Sequence, residues 1–123
     1  MIARYGPRVA VSCGVVMAGT QSFSEGRVLD VSSPGCLIEC VHTLRIGDYV
    51  QLRVFLPDQD SPLNIPLAAV RWVDSTRVGL EFIKSSEEDQ LRLSRFVRRH
   101  APVTVTTLKK WKDGVTLLGA SGD

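Results

Sequence analysis

The sequence has 123 residues and a mass of 13.5 kDa, which points to one domain with enough chain to bury a core without disulfide staples. Hydrophobic residues make up 44% and charged residues 23%, with a formal net charge of +2; this is far from the profile of a general nucleic-acid binder, so no DNA or RNA partner is expected and any anion site is local. The cysteines Cys13, Cys36 and Cys40 are odd in number, lack Cys-x-x-Cys spacing and have only His42 and His100 for company, which speaks against a disulfide framework or zinc site and suits a reducing cytoplasm.

The first segment, RYGPR, holds Arg4 and Arg8 four residues apart. Stacked on a helix they would lie one above the other, but Gly6 and Pro7 deny them that helix, so residues 1–8 are expected to form an extended cationic arm. Together with the run VAVSCGVVMAG, the arm has the charged start and apolar middle of a secretory signal. Ser12 and Gly14 interrupt that run, and its alternation is that of a strand; a cytoplasmic protein is the expectation. No stretch is long enough to span a membrane.

Val9, Val11, Cys13, Val15 and Met17 are apolar at every second position, the period of a strand with one buried face. After the break at Gly19-Thr20-Gln21-Ser22, Phe23 to Val31 reads as a second strand, and the turn formers of DVSSPG, Asp30 to Gly35, make a tight connection. Cys36, Ile38 and Cys40 share one face of a third strand, and Val50, Leu52, Val54 and Leu56 mark a fourth after Ile46-Gly47-Asp48. Pro57 to Pro62 is a loop. Ile65 to Val73 and Val78 to Ile83 are the last two strands, joined at Asp74 to Arg77. The period then changes. Ser86 with Asp89 makes a capping-box-like start, and Leu93, Phe96, Val97 and His100 follow at helical spacing until Ala101-Pro102. Residues 103–123 fit a hairpin, a partner-binding segment or a disordered tail equally well.

Six short strands in a small chain favour a mainly β fold, a six-stranded antiparallel β-barrel, because closure removes edges that would otherwise aggregate. A C-terminal α-helix would plug or flank it. The expected division is an arm at 1–8, the barrel with its helix at 9–100, and a tail at 101–123.

The pair R-x-x-x-R at Arg4 and Arg8, followed about twenty residues later by D-x-S-x-x-G at Asp30, Ser32 and Gly35, resembles the PilZ domain family. IGDYV at Ile46 to Val50 and the RWV and VGLEF segments between Arg71 and Phe82 strengthen the resemblance, which covers roughly residues 4 to 100. It implies a receptor for the bacterial second messenger cyclic di-GMP that signals to a downstream protein, with Arg4, Arg8, Asp30, Ser32 and Gly35 as ligand-binding residues and no other cofactor. The chemistry suits that ligand. An arginine fork matches guanine O6 and N7 or a phosphate and stacks on a purine, and a carboxylate accepts from guanine N1 and N2. Ser32 offers a hydroxyl, and Gly35 would permit a positive φ where the backbone approaches closely. The arm is expected to stay loose until the anion orders it.

Trp72 has two readings: a ligand-flanking aromatic, as in relatives of this shape, or a core residue. Cys36 and Cys40 are simplest as small core side chains. Where many relatives carry a further arginine, this chain has Ala3, which points to one bound ligand rather than a stacked pair, or to weaker binding. No nucleophile with a base, acid and base pair or metal set is visible, so no enzymatic activity is expected. The alternative is a PilZ-fold interaction adaptor that binds no nucleotide and works through its tail.

Overall fold

Period-two alternation becomes six strands and the final apolar stripe becomes one helix: β1 (Val9–Ala18), β2 (Phe23–Ser32), β3 (Gly35–Cys40), β4 (Tyr49–Val54), β5 (Leu63–Asp74), β6 (Arg77–Lys84) and α1 (Glu87–His100). The computed structural model describes residues 7–19, 23–41 and 44–100. Arg4 and the tail from residue 101 onward, with the alternatives considered for it, lie outside the described residues.

The strands close in the order β1-β2-β3-β6-β5-β4, every neighbour antiparallel, with β4 pairing back to β1. Closure satisfies both hydrogen-bonding edges of each strand, as the sequence led one to expect. Inward-facing Val15, Met17, Val28, Ile38, Leu52, Leu63, Ile65 and Leu80 are buried and form the core. Element bounds move by a few residues. β4 ends at Val54, although Leu56 beyond it still packs into the core, and Ser32 and Gly35 belong to the strands, leaving Ser33-Pro34 as the turn. The β5–β6 hairpin is closed by Ser75-Thr76, with Ser75 in the left-handed region at φ 59°.

Among the described residues five register shifts interrupt the ladders, two of them between Val50 and Leu52 of β4 and between Leu67 and Ala68 of β5. The other three fall between Ala10 and Cys13 of β1, between Val28 and Asp30 of β2, and between Val70 and Trp72 of β5, where one strand carries an extra residue. Each extra residue sharpens the local twist and re-aims the side chains beyond it.

Helix α1 covers one end of the barrel, packing on β2 and β5 through buried Leu93, Phe96 and Val97. Its start is half of the expected capping box. The Asp89 amide donates to Ser86 Oγ at 3.1 Å, but the Asp89 carboxylate does not return to Ser86. It accepts instead from the Asn64 amide at 3.2 Å and from Arg92 at 2.9 Å, tying the helix to β5. Arg92 continues the strap by donating to Gln59 Oε1 and to the carbonyls of Ser61 and Pro62, so one guanidinium fixes the loop of residues 57–62. Acidic side chains in the first turn and basic ones in the last complement the helix dipole. Among the described residues no helix is long and apolar enough to cross a membrane.

Candidate functional site

Residues directly opposite in a ladder share a face of the sheet. The registers therefore define one row across the outer surface. Ala10 opposes Asp30, Asp30 opposes Leu37, Leu37 opposes Gly79, and Gly79 opposes Trp72. Five strands contribute to this row, and two of the sequence-predicted residues, Asp30 and Trp72, stand in it three strands apart, roughly 14 Å along the curved sheet.

Arg8, just ahead of β1, reaches the same row. Its guanidinium donates to Asp30 Oδ1 at 2.9 Å, with the two side chains 43% and 22% exposed. The Asp30 carboxylate offers Arg8 a charge-assisted contact next to the strand start, while residues 1–6 of the arm expected to be loose without an anion lie outside the described residues. The pair carries one positive and one negative group, both accessible. It presents donors and acceptors side by side without a net local charge.

The other motif residues also build the turn. Ser32 is 2% exposed, and its Oγ donates to the Gly35 carbonyl at 3.2 Å, closing the β2–β3 turn. Gly35 is not at a positive φ; among the described glycines only Gly47 is. The correct reason for glycine is steric: a Cβ at Gly35 would lie 2.2 Å from the Leu80 carbonyl oxygen, so β6 is packed too closely for any side chain. The Phe82 amide donates to the Pro34 carbonyl at 2.8 Å beside it, locking the turn onto β6. Ser32 and Gly35 thus set the position of the strand end that carries Asp30.

Trp72 is not a core residue. It lies on the outer face at 36% exposure, turned out by the register shift after Val70, while Val70 itself is fully buried. Next to it Arg71 donates to Glu81 Oε1 at 2.6 Å. Leu37, half-buried, forms the floor between Asp30 and Gly79. Neither Leu37 nor Gly79 was assigned to the site from the sequence, because their place depends on which strands become neighbours; the local signs were the VGLEF segment that holds Gly79 and its outward phase between Arg77 and Glu81.

Beneath the row sits Cys36, opposite Val31 on the inner side. Burial pushes its thiol far above the ordinary range, reinforced by the negative charge of Asp30 and by Cys13, and opposed by Arg8. Burial likewise raises Cys13, partly offset by Arg27. Both are structural core thiols in their neutral form. Among the described residues no group of three or more His, Cys, Asp or Glu is placed to hold a metal ion.

The model of the PilZ domain matches residues 3–99. No curated protein matches the chain. Several solved structures share its fold. The inhibitor of motility MotI/DgrA of Bacillus subtilis superposes with a TM-score of 0.68 at 18% identity over 80% of this chain and 51% of that one; the chain thus spans about half of MotI. The PilZ domain of YcgR from Escherichia coli, solved with c-di-GMP, gives 0.65 at 15% identity over 79% and 90%. The PilZ domain of CeSA from a cellulose-synthesizing bacterium gives 0.58 at 17% over 75% and 95%.

Proposed function

The chain belongs to the PilZ domain family, and on that premise we propose that it is a cytoplasmic receptor for cyclic di-GMP that signals to a partner protein and catalyses no reaction. The observation that carries this reading is the outer row in which Arg8, paired to Asp30, faces the same side as the exposed Trp72. Arg8 offers a planar fork to a guanine O6/N7 edge or a phosphate, and Asp30 accepts from the guanine N1 and N2 donors. Arg4 would add the second cation from the preceding segment. Ser32 and Gly35 serve the ligand indirectly, by fixing the turn that positions Asp30. The related PilZ domain of YcgR holding c-di-GMP supports the choice of ligand.

Binding exchanges the Arg8–Asp30 contact for contacts to the ligand. Since that contact is exposed and worth only about 0.2 to 1 kcal/mol, exchanging it is a small cost against charge-assisted bonds to the ligand. Downstream signalling would follow from the changed surface around the β1 start and the β2–β3 turn.

Calorimetric titration with cyclic di-GMP tests the reading. Wild type should bind, Arg8→Ala should weaken binding about tenfold or more, and cyclic di-AMP, whose adenine presents an amino group where guanine has O6, should bind far more weakly. Absence of heat at ligand concentrations well above the micromolar range would transfer the protein to the nucleotide-free adaptor class.

A further inference from the structure

Helix α1 carries its positive charge in its second half: Arg92, Arg95, Arg98 and Arg99 all follow the acidic first turn of Glu87, Glu88 and Asp89. Arg92 is engaged with Asp89, Gln59 and the carbonyls of Ser61 and Pro62. Arg95, Arg98 and Arg99 are exposed, and their side chains make no ion pair or hydrogen bond among the described residues. Between this half of the helix and the loop of residues 57–62 lies a cleft of about 150 Å³, with Arg95 and Arg99 on its helix side and Asp58 and Gln59 on its loop side. Phe96 and His100 line it too; the His100 Nδ1–H donates to the Phe96 carbonyl at 3.0 Å and the two rings pack with centroids 4.3 Å apart. Leu91, Arg95 and Arg99 are spaced four residues apart, so they form one ridge along the helix with stations about 6 Å apart. Leu91 is 54% exposed, the one large apolar side chain of α1 left in solvent.

We propose that this ridge and cleft dock an acidic, extended segment of a partner protein, with two of its carboxylates on Arg95 and Arg99 and an apolar side chain covering Leu91. The inference rests on the partner-signalling part of the reading above, which the receptor and the adaptor share, and deepens it by naming the surface and the partner's chemistry. Guanidinium forks match carboxylates with paired hydrogen bonds, and these two have no anion of their own. Alternate side chains of an extended chain share a face at about 6.6 Å, close to the spacing of the ridge, so the pattern Leu-x-Glu-x-Glu reaches all three stations. A cleft of this volume takes a side chain or two, not a helix about 10 Å across. A nucleic acid fits less well, because the chain's net charge is only +2 and Asp58 on the loop side opposes a continuous run of phosphates. A membrane surface also fits less well, since Leu91 alone gives the helix too little exposed apolar area for anchoring.

The test uses the full chain and a short fluorescein-labelled peptide centred on Leu-Thr-Glu-Thr-Glu, read by polarization, with a Gln-for-Glu peptide beside it. Wild type should bind the Glu peptide at least about tenfold more tightly than the Gln peptide, and the preference should shrink as salt rises. Arg95→Gln/Arg99→Gln should abolish the preference, and Leu91→Ser should weaken binding by about threefold; both variants should keep the helical spectrum and cyclic di-GMP affinity of wild type. Arg95→Glu/Arg99→Glu should turn the preference toward a Lys-for-Glu peptide, a swap that a structural role for the arginines does not produce. Equal binding of the Glu and Gln peptides by wild type, or no binding of the Glu peptide at millimolar concentration, overturns the inference and leaves the receptor reading standing. Tighter binding of a short single-stranded DNA or of phosphatidylglycerol vesicles, lost in Arg95→Gln/Arg99→Gln, also overturns it and assigns the cleft to that polyanion. Loss of cyclic di-GMP binding in the same variant overturns it as well, by making the cleft part of the nucleotide site. Peptide binding as expected in a wild type that binds no cyclic di-GMP supports the inference and removes the receptor reading alone.

Discussion

Replacing Gly35 by alanine separates a motif residue that touches ligand from one that builds the fold. The new Cβ would stand 2.2 Å from the Leu80 carbonyl oxygen and 3.3 Å from the Glu81 Cα, both of them backbone and unable to swing aside. Relief requires β3 and β6 to part by about 1 Å at the end of the ladder, an overpacking strain of about 1 to 3 kcal/mol. Parting also weakens two bonds that lie on that seam, Phe82 N to Pro34 O at 2.8 Å and Ser32 Oγ to Gly35 O at 3.2 Å, each worth about 1 kcal/mol. The total, about 2 to 4 kcal/mol, is a large share of the 5 to 15 kcal/mol typical of a domain and should lower the thermal midpoint by roughly 10 to 25 °C. Urea unfolding followed by circular dichroism measures it directly. Gly14→Ala is the control, because a Cβ there meets nothing within 4 Å, and it should be neutral or stabilising by up to about 1 kcal/mol through the unfolded chain. If Gly35→Ala unfolds within about 0.5 kcal/mol of the control, the steric account of this glycine is wrong, since a real clash cannot cost less than a small overpacking strain.

Arg8→Ala should behave in the opposite way, losing less than about 1 kcal/mol of stability because its ion pair is exposed, while reducing cyclic di-GMP affinity about tenfold or more; equal losses in both assays would make Arg8 a structural residue. Cys36 has a folded pKa raised above the unfolded thiol value of about 8.5, so its contribution to stability is complete below that pH and is lost as pH rises further. Melting midpoints should hold from pH 7 to 8 and fall toward pH 10, and alkylation of Cys13 and Cys36 at pH 7.5 should be slow until denaturant is added; rapid native labelling would contradict the burial. Arg92→Ala should cost about 1 kcal/mol by removing the bonds to the Ser61 and Pro62 carbonyls, which water can replace only in part, and Arg92→Lys should recover little of it because an ammonium cannot fork to the same acceptors. Proteolysis at the loop of residues 57–62 reads the same change locally.

The strands and the helix were legible in the sequence because alternation and helical spacing are local: Val9 to Met17 and Leu93 to Val97 announce their buried faces without reference to any other segment. Closure into a barrel followed from the number and shortness of the strands and the need to hide their edges. The D-x-S-x-x-G turn was also visible, but its physics was not. Whether Gly35 needed a positive φ or a bare α-carbon depends on how near β6 comes, and β6 lies more than forty residues away in sequence. Trp72 shows the same limit. Its alternation alone assigns it inward or outward according to phase, and the register shift after Val70 decides that phase against the core. The row from Arg8 and Asp30 through Leu37 and Gly79 to Trp72 exists only in the assembled barrel, because its members are set by register between strands distant in sequence. Side-chain type and period fix which face of an unbroken strand is buried, whereas backbone pairing, bulges and the closeness of neighbouring strands fix where that phase breaks and which exposed residues meet.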